Sequence, residues 1–87
     1  MDVRNWIVTD KGLFRSLSFQ SFTALTQFLA ELAPIADELD HHPDLRIRKA
    51  VVLDIWLITH DSSAITEKDT ELAAVINRIS PSYGFSS

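Results

Sequence analysis

The stretch Asp37-Glu38-Leu39-Asp40-His41-His42-Pro43 marks the point where a long amphipathic pattern stops and two adjacent histidines follow. Pro43 ends the helical period, because proline has no N–H to donate and disfavours helical geometry at the residue before it. His41 and His42 are therefore expected at a helix C-terminus, where backbone carbonyls favour a protonated imidazole. His60, the third histidine, closes the longest apolar run, so a strand could bring it back to this pair.

The pattern that precedes these histidines predicts one long helix from about Gln20. Apolar residues recur there at steps of three and four and form one broad stripe: Phe22, Leu25, Phe28, Leu29, Leu32, Ile35, Ala36 and Leu39. Pro34 lies inside the pattern, and it removes one intrahelical hydrogen bond and crowds the carbonyl of Ala30. Because the stripe keeps its phase across Pro34, a kinked helix is favoured over two abutting helices.

Three or four strands are predicted around this helix. Trp6-Ile7-Val8 forms a short strand or a packing flap, residues 9–12 a turn, and residues 13–19 a strand that is half-buried against helices. After Pro43, residues 44–48 alternate as a short strand with one wet face. Residues 51–60 are rich in β-branched and aromatic side chains and predict a central strand, whose second face another subunit could cover.

A second helix follows the turn at residues 61–64. Thr66 and Asp69 match a capping box ahead of a new apolar period, and this helix is expected to end near Ser80-Pro81. The order β-α-β-β-α predicts an α+β fold, an antiparallel sheet of about four strands with helices on one face. Residues 1–87 make a single domain, with a frayed tail over about residues 81–87.

Size and composition exclude several classes of protein. The chain has 87 residues, a net charge of −4 and no cysteine, which argues against nucleic-acid binding by bulk charge and excludes disulfides, cysteine zinc sites and thiol catalysis. No apolar run is long enough for a membrane span, and the N-terminus does not resemble a signal peptide, so a cytoplasmic protein is expected. Its thin core favours burial of further apolar surface in an oligomer.

Three interpretations of the histidines compete at this point. They could stabilise element ends without sharing a site, since an imidazole at a helix C-terminus is ordinary. They could bind a metal ion, although adjacent residues point apart and helical ligand pairs are usually four residues apart. They could also serve acid–base catalysis, because imidazole titrates near neutral pH. Asp37, one turn before His41 on the predicted helix, could then orient the His41 ring.

The ordered motifs resemble the pterin-4a-carbinolamine dehydratase family over about residues 6–79. The features that carry the resemblance are Trp6, Leu13-Phe14-Arg15, Phe19-x-x-Phe22, Asp37, His41-His42-Pro43, Thr59-His60-Asp61, Thr66-Glu67-Lys68-Asp69 and Leu72-Ala73. No single motif is specific, but their ordered combination is.

The resemblance implies a four-stranded sheet with helices on one face, assembled as a homodimer or homotetramer. It implies dehydration of 4a-hydroxytetrahydropterin to quinonoid dihydropterin, with the pterin as substrate and neither metal nor cofactor. His41, His42 and His60 would surround the pterin and transfer protons, because losing water needs an acid for the hydroxyl and a base for a ring N–H proton. The other matched residues are expected at the substrate site: Asp37, Pro43, Asp61 and Asp69.

Two departures from the family pattern bear on activity. Lys49 or Ala50 occupies the slot of an aromatic residue beside the pterin, and the segment up to His60 looks one residue longer, which suggests a bulge. Ser63-Ala64 replaces a Gly-Gly pair, so side chains could narrow the pocket or reshape its loop.

The family also has non-catalytic branches, so a second function stays open. Some dehydratase-like proteins act as Rubisco assembly factors of the carboxysome type, and vertebrate members double as dimerisation cofactors of a transcription factor. In such a chaperone or scaffold, exposed apolar residues such as Trp56 and Ile58 would carry the binding, unless the protein's own oligomer buries them. An altered pocket rim with an intact histidine set fits either a working enzyme or a repurposed scaffold, and of the two the dehydratase is favoured.

Overall fold

A computed structural model describes residues 3–84 as a four-stranded antiparallel sheet with two helices packed on one face, which confirms the α+β prediction. The strands lie in the order β1-β2-β4-β3. The elements along the chain are β1 (Ile7–Thr9), β2 (Gly12–Ser18), α1 (Phe22–Leu39), β3 (Asp44–Arg48), β4 (Val52–Leu57), α2 (Glu67–Ile79) and a 3-10 helix (Ser80–Tyr83).

The core lies between the two central strands and the helices. Alternate residues of β2 and β4 point to one face, and those on the helix side are buried: Leu13, Leu17, Leu53, Ile55 and Leu57. They pack against buried residues of both helices, among them Leu25, Phe28, Leu32, Leu72 and Ile76. Each fully buried aliphatic or aromatic side chain contributes about 1.5–3 kcal/mol relative to an exposed one. This shared core fixes how the end of α1 faces the start of α2.

The β1–β2 hairpin depends on Gly12. Thr9 pairs with Gly12 across a two-residue turn, and Gly12 has φ +107°. A Cβ at this position would lie 2.1 Å from the carbonyl oxygen of Leu57 on β4. Glycine is therefore required both by its backbone conformation and by the close approach of β4.

Helix α1 runs without interruption through Pro34. It begins at Ser21, whose Oγ accepts a hydrogen bond of 3.0 Å from the N–H of Ala24. Its buried stripe consists of Leu25, Phe28, Leu32 and Ala36. The alternative of two abutting helices is therefore wrong, and the apolar phase that continues across Pro34 correctly predicts one helix. Neither helix of residues 3–84 is both long and apolar enough to cross a membrane.

Strand β3 departs from the expected pattern of one wet face. Leu45 and Ile47 remain 41% and 45% exposed, although they lie on the same face as the core residues of β4 that they pair with. The reason is the position of β3 at the edge of the sheet, beyond full cover by the helices. The position of β3 at the edge of the sheet could not be predicted from the alternation of its residues, since an edge strand and a covered strand share the same period.

The β3–β4 hairpin corrects the predicted bulge. Both registers of β4, with β2 and with β3, run without an inserted residue from Val52 to Leu57. Residues 49–51 form the turn instead, with Lys49 at φ +56° and Ala50 at φ +66°. The extra length of this segment is therefore taken up by a left-handed turn and not by the strand.

The chain after α2 is more regular than the sequence predicted. Ser80–Tyr83 form a 3-10 helix, where a frayed tail was expected from residue 81. Tyr83 holds this segment against α1, since its ring packs edge-on against Phe28 at 5.9 Å and its hydroxyl donates to Glu31. Residues 85–87, the rest of the predicted tail, lie outside the described residues.

The second face of the sheet carries an aromatic pair and a charged cluster. The rings of Phe14 and Trp56 lie 5.1 Å apart across β2 and β4. Beside them, Asp54 accepts hydrogen bonds from Ser16 and, through both carboxylate oxygens, from Arg48. The Arg48 guanidinium holds the pKa of the Asp54 carboxyl below its ordinary value.

Candidate active site

The end of α1 determines where the two adjacent histidines point. Asp40 adopts the left-handed conformation, with φ 51° and ψ 42°. The N–H of Asp40 donates to the carbonyl of Asp37, and the N–H of His41 donates to that of Ala36, both at 3.1 Å. This pair of bonds is the Schellman motif, here built on aspartate instead of glycine. His41 and His42 therefore lie just beyond the helix, not in its last turn.

His41 is held by a buried carboxylate of the second helix. Its Nε2 lies 2.6 Å from Oδ1 of Asp69, and their side chains are 9% and 0% exposed. Oδ2 of Asp69 accepts from the N–H of Thr66 at 2.8 Å and from the hydroxyl of Thr59 at 2.9 Å. With Asp69 as the acceptor, Nε2 carries the hydrogen and Nδ1 is the acceptor nitrogen of the neutral ring.

The same contacts make Asp69 part of the capping box of α2. Oγ1 of Thr66 caps the helix from its N-terminal side, and Asp69 returns the bond to the Thr66 N–H, as predicted. The N-terminal end of a helix also favours a negative charge. The cap therefore fixes Asp69, and Asp69 in turn fixes the His41 ring.

His42 pairs with Asp37 at the surface. Nε2 of His42 lies 2.8 Å from Oδ1 of Asp37, and their side chains are 58% and 74% exposed. The sequence predicted that Asp37 would orient His41, which is wrong. The Schellman turn carries His41 inward to Asp69, so His42 is the imidazole that faces back toward Asp37.

His60 pairs with Asp44, the residue that opens β3. Nε2 of His60 lies 3.3 Å from Oδ2 of Asp44, and their side chains are 70% and 58% exposed. His60 begins a turn that closes where Thr59 and Ala64 bridge, with the N–H of Thr59 donating to Ala64 at 3.0 Å. Each of the three histidines thus has one carboxylate partner.

One cavity of about 270 Å³ brings the histidines together. Its lining residues are Asp40, His41, His42, Thr59, His60, Asp61 and Lys68. The volume lies near the lower end of the range for small-molecule sites, about 300–1,000 Å³. The structure therefore places His60 beside His41 and His42, as the sequence predicted.

The four other candidate residues are divided among different positions. Asp61 lines the histidine cavity directly, and Asp69 is buried behind His41. Asp37 and Pro43 line a neighbouring apolar groove of about 320 Å³ between α1 and β3, together with His42 and Leu45. Only Asp61 of these four is a wall of the cavity that all three histidines share.

The two departures from the family pattern fall in different places. Lys49 and Ala50 lie in the β3–β4 turn, at the opposite end of the hairpin from His60 and Asp44. Asp44 and Arg48 are four residue steps apart along the strand, which is about 13 Å. Ser63 lies closer, in the turn after His60, and holds a left-handed φ of 52°. The first substitution therefore leaves the histidine cavity untouched, and the second shapes its surroundings.

Sequence reasoning missed three residues around the histidines. Asp44 was assigned only to the wet face of β3, although its place directly after His41-His42-Pro43 was a usable signal. Asp40 and Lys68 also line the cavity. No sequence pattern indicated Asp40, because its position depends on a left-handed turn that non-glycine residues seldom adopt.

The geometry of the three histidine–carboxylate pairs suits proton transfer. Among residues 3–84, no three His, Asp or Glu side chains converge as ligands for a metal ion. Instead, each imidazole has a carboxylate near one ring nitrogen, and at His41 and His42 that contact is a hydrogen bond, which favours one tautomer and leaves the other nitrogen to donate or accept. Such imidazoles in one cavity suit general acid–base chemistry.

A sequence model described as pterin 4 alpha carbinolamine dehydratase matches residues 1–79. The chain belongs to this family. A Sulfolobus acidocaldarius protein whose name assigns it provisionally to pterin-4-alpha-carbinolamine dehydratase is 40% identical over 79 residues, which is 90% of this chain and 85% of that protein. A Mycobacterium leprae protein with the same provisional name is 39% identical and covers 91% and 83%.

A solved structure shares the fold. The crystal structure of a transcriptional coactivator/pterin dehydratase from Brucella melitensis superposes with a TM-score of 0.83 at 31% sequence identity, over 90% of this chain and 84% of that one. The pterin dehydratase family and its α+β architecture are therefore established for this protein.

Proposed function

We propose that this protein dehydrates 4a-hydroxytetrahydropterin to quinonoid dihydropterin. In this reaction the bond between C4a and its hydroxyl oxygen breaks, and an acid delivers the proton with which the hydroxyl leaves as water. A base removes the proton of the ring N–H, and those electrons form the new double bond. No oxidant or reductant is consumed, so two proton-transfer groups suffice.

The observation that carries the proposal is the convergence of three imidazoles on one cavity, each with a carboxylate partner. The proposed catalytic residues are His41, His42 and His60. An imidazole that donates in one step and accepts in another lets the enzyme return to its starting protonation state after each turnover.

We infer different duties for the proposed substrate residues. Asp61 lies at the cavity wall, where a carboxylate accepts hydrogen bonds from pterin N–H groups. Asp69 acts through His41 as a positioning residue, because it is fully buried behind that ring. Asp37 positions His42, and Pro43 shapes the apolar groove beside it.

Stopped-flow dehydration of freshly generated 4a-hydroxytetrahydropterin tests the proposal. Wild-type protein is expected to accelerate the reaction above its spontaneous rate, and His60→Ala to lose about 10²–10⁴ of that acceleration. Glu38→Gln, an exposed change on α1 outside the cavity, is the control and should match wild type. A folded wild-type protein without acceleration, or a fully active His60→Ala variant, would contradict it.

A protein-binding role is the second candidate. The observation in its favour is the set of exposed apolar side chains on the sheet edges and at the start of α1: Ile7, Val8, Phe22, Leu45 and Ile47. The name of the Brucella structure also includes a transcriptional coactivator. Rubisco as a client, and assembly as a homodimer or homotetramer, remain predictions from the family resemblance. A Rubisco pull-down and analytical ultracentrifugation test them.

A further inference from the structure

A second cavity reaches His60 from the open face of the sheet. It has a volume of about 330 Å³, and its walls include Asp44, Trp56, Ile58, His60 and Ser63. His60 is the residue that this cavity shares with the histidine cavity. A ligand in the second cavity therefore has one end beside the group proposed for proton transfer.

Trp56 gives this cavity an aromatic wall. Its partners across the sheet are Phe14 on β2 and Asp44 on β3, so all three side chains share the open face. The Phe14 ring supports the indole at a centroid distance of 5.1 Å. A supported indole is a stacking platform for a flat heterocycle, and such stacking strengthens binding of a nucleobase-like ring.

Asp44 places a carboxylate beside that platform. Its contact with His60, at 3.3 Å, is longer than the 2.7–2.9 Å or so of a strong charge-assisted hydrogen bond. A carboxylate offers about four lone-pair positions, so Asp44 has capacity for further donors. A 2-amino-4-oxopyrimidine ring presents an N–H and an amino group side by side, as a guanidinium does. Carboxylates accept such paired donors in bidentate fashion.

We propose that Trp56 and Asp44 bind the aminopyrimidinone ring of the pterin beside His60. The inference rests on the proposed dehydratase function and adds the residues that recognise the ring. Trp56 stacks on the N1–C2–N3–C4 portion of the pyrimidine ring, which is planar in substrate and product, whereas C4a is tetrahedral in the substrate. Asp44 accepts from N3–H and the 2-amino group, and so selects 2-amino pteridines over 2-oxo pteridines.

The experiment compares the binding of pterin and of lumazine, which carries an oxo group in place of the 2-amino group. By isothermal titration calorimetry, wild-type protein is expected to bind pterin about tenfold or more tightly, because lumazine would leave the carboxylate without a paired donor. Asp44→Asn is expected to abolish the preference. Trp56→Ala should weaken the binding of pterin and of lumazine to a similar extent. Asp10→Asn, the matched loss of a carboxylate on the same cavity, should keep the preference.

Fluorescence gives the location of the ligand. The chain has two tryptophans, so Trp6→Phe leaves Trp56 as the sole reporter, and pterin should quench it. Equal affinity for both ligands, a preference that survives Asp44→Asn, or unquenched Trp56 would overturn the subsite. Turnover of the same variants separates the two proposals. If the wild-type protein catalyses dehydration but does not prefer pterin over lumazine, the subsite is refuted alone. If it prefers pterin but does not catalyse dehydration, the dehydratase function is refuted alone. If it neither binds pterin nor catalyses dehydration, both proposals are refuted.

Discussion

His41 and His60 line one cavity, but the protein holds them in opposite ways. The His41 ring is buried and its carboxylate partner, Asp69, accepts two further hydrogen bonds from Thr59 and Thr66. The His60 ring is exposed, and its partner Asp44 is also exposed and lies 3.3 Å away. An acid–base site gains from this contrast, because one imidazole keeps a fixed orientation while the other adjusts to the ligand.

The largest expected difference between the surroundings of His41 and those of His60 is in their contribution to the free energy of unfolding. Asp69→Ala leaves the Thr66 N–H and the His41 ring without their acceptor and removes one of the two partners of the Thr59 hydroxyl, so it should lower the free energy of unfolding by about 2–4 kcal/mol. Asp44→Ala should change it by less than about 0.5 kcal/mol, since exposed ion pairs contribute little. Urea denaturation measures both values.

Asp69→Asn is the control for this comparison, because an amide oxygen still accepts from the Thr66 N–H. It should retain more of the stability than Asp69→Ala. Similar losses for Asp69→Ala and Asp44→Ala would mean that the two histidines are held alike.

Removal of the Thr59 hydroxyl, which contacts both Asp69 and Thr66 behind His41, should have an intermediate effect. Thr59→Val keeps the side-chain shape but removes the hydroxyl that donates to Asp69, so about 1 kcal/mol of stability should be lost. Turnover should fall as well, because the His41 ring loses part of its support. Thr59→Ser, which keeps the hydroxyl, should restore both in the same denaturation and stopped-flow measurements. If Thr59→Val matches wild type, the buried network does not hold His41.

The loop beside His60 should tolerate change that the buried side does not. Ser63 has φ 52°, so Ser63→Gly relieves left-handed strain and should stabilise the protein by about 0.5–1 kcal/mol. Ala50→Gly, at φ 66° in the distant hairpin turn, is the matched control with a similar expected gain. Turnover should change only with Ser63→Gly. Thermal denaturation and initial rates distinguish the two sites, and a rate change with Ala50→Gly would contradict the distance between that turn and the cavity.

The smallest effect should come from a charge pair outside both regions. The pKa of Asp54 is lowered by Arg48, so this carboxylate contributes stability above its unfolded-state pKa of about 4. That contribution should disappear as the pH falls through the lowered pKa of Asp54 in the folded state. Asp54→Asn should therefore flatten the acid limb of the stability–pH curve without altering either histidine. An unchanged acid limb would show that the pair has no net effect.

Much of the fold could be predicted from local pattern. The period of α1, the capping box at Thr66 and the apolar face of β4 each follow from rules that act within a few residues. The proximity of His60 to His41 and His42 could also be predicted, because few arrangements of a strand that follows a helix are compatible with a compact fold. The exposure of Leu45 and Ile47 could not be predicted in this way, since it depends on which strand lies at the edge of the sheet.

The partners of the histidines could not be predicted from sequence spacing. Asp37 is one helical turn from His41, and spacing alone favours that pair. A left-handed Asp40 redirects the chain, so His41 meets Asp69, which is distant in sequence, and His42 meets Asp37. Asp44 was overlooked for a similar reason, since its contact with His60 depends on the register of β3 against β4.

A double-mutant cycle on His41 and His60 tests most directly that these two residues act as one proton-transfer site. Stopped-flow dehydration would be measured for wild type, His41→Ala, His60→Ala and the double variant. Each single change is expected to cost about 10²–10⁴ in rate, and the double variant should be no slower than the slower single, because residues that act together are not additive. Losses that multiply, or a single variant with the wild-type rate, would contradict a shared site.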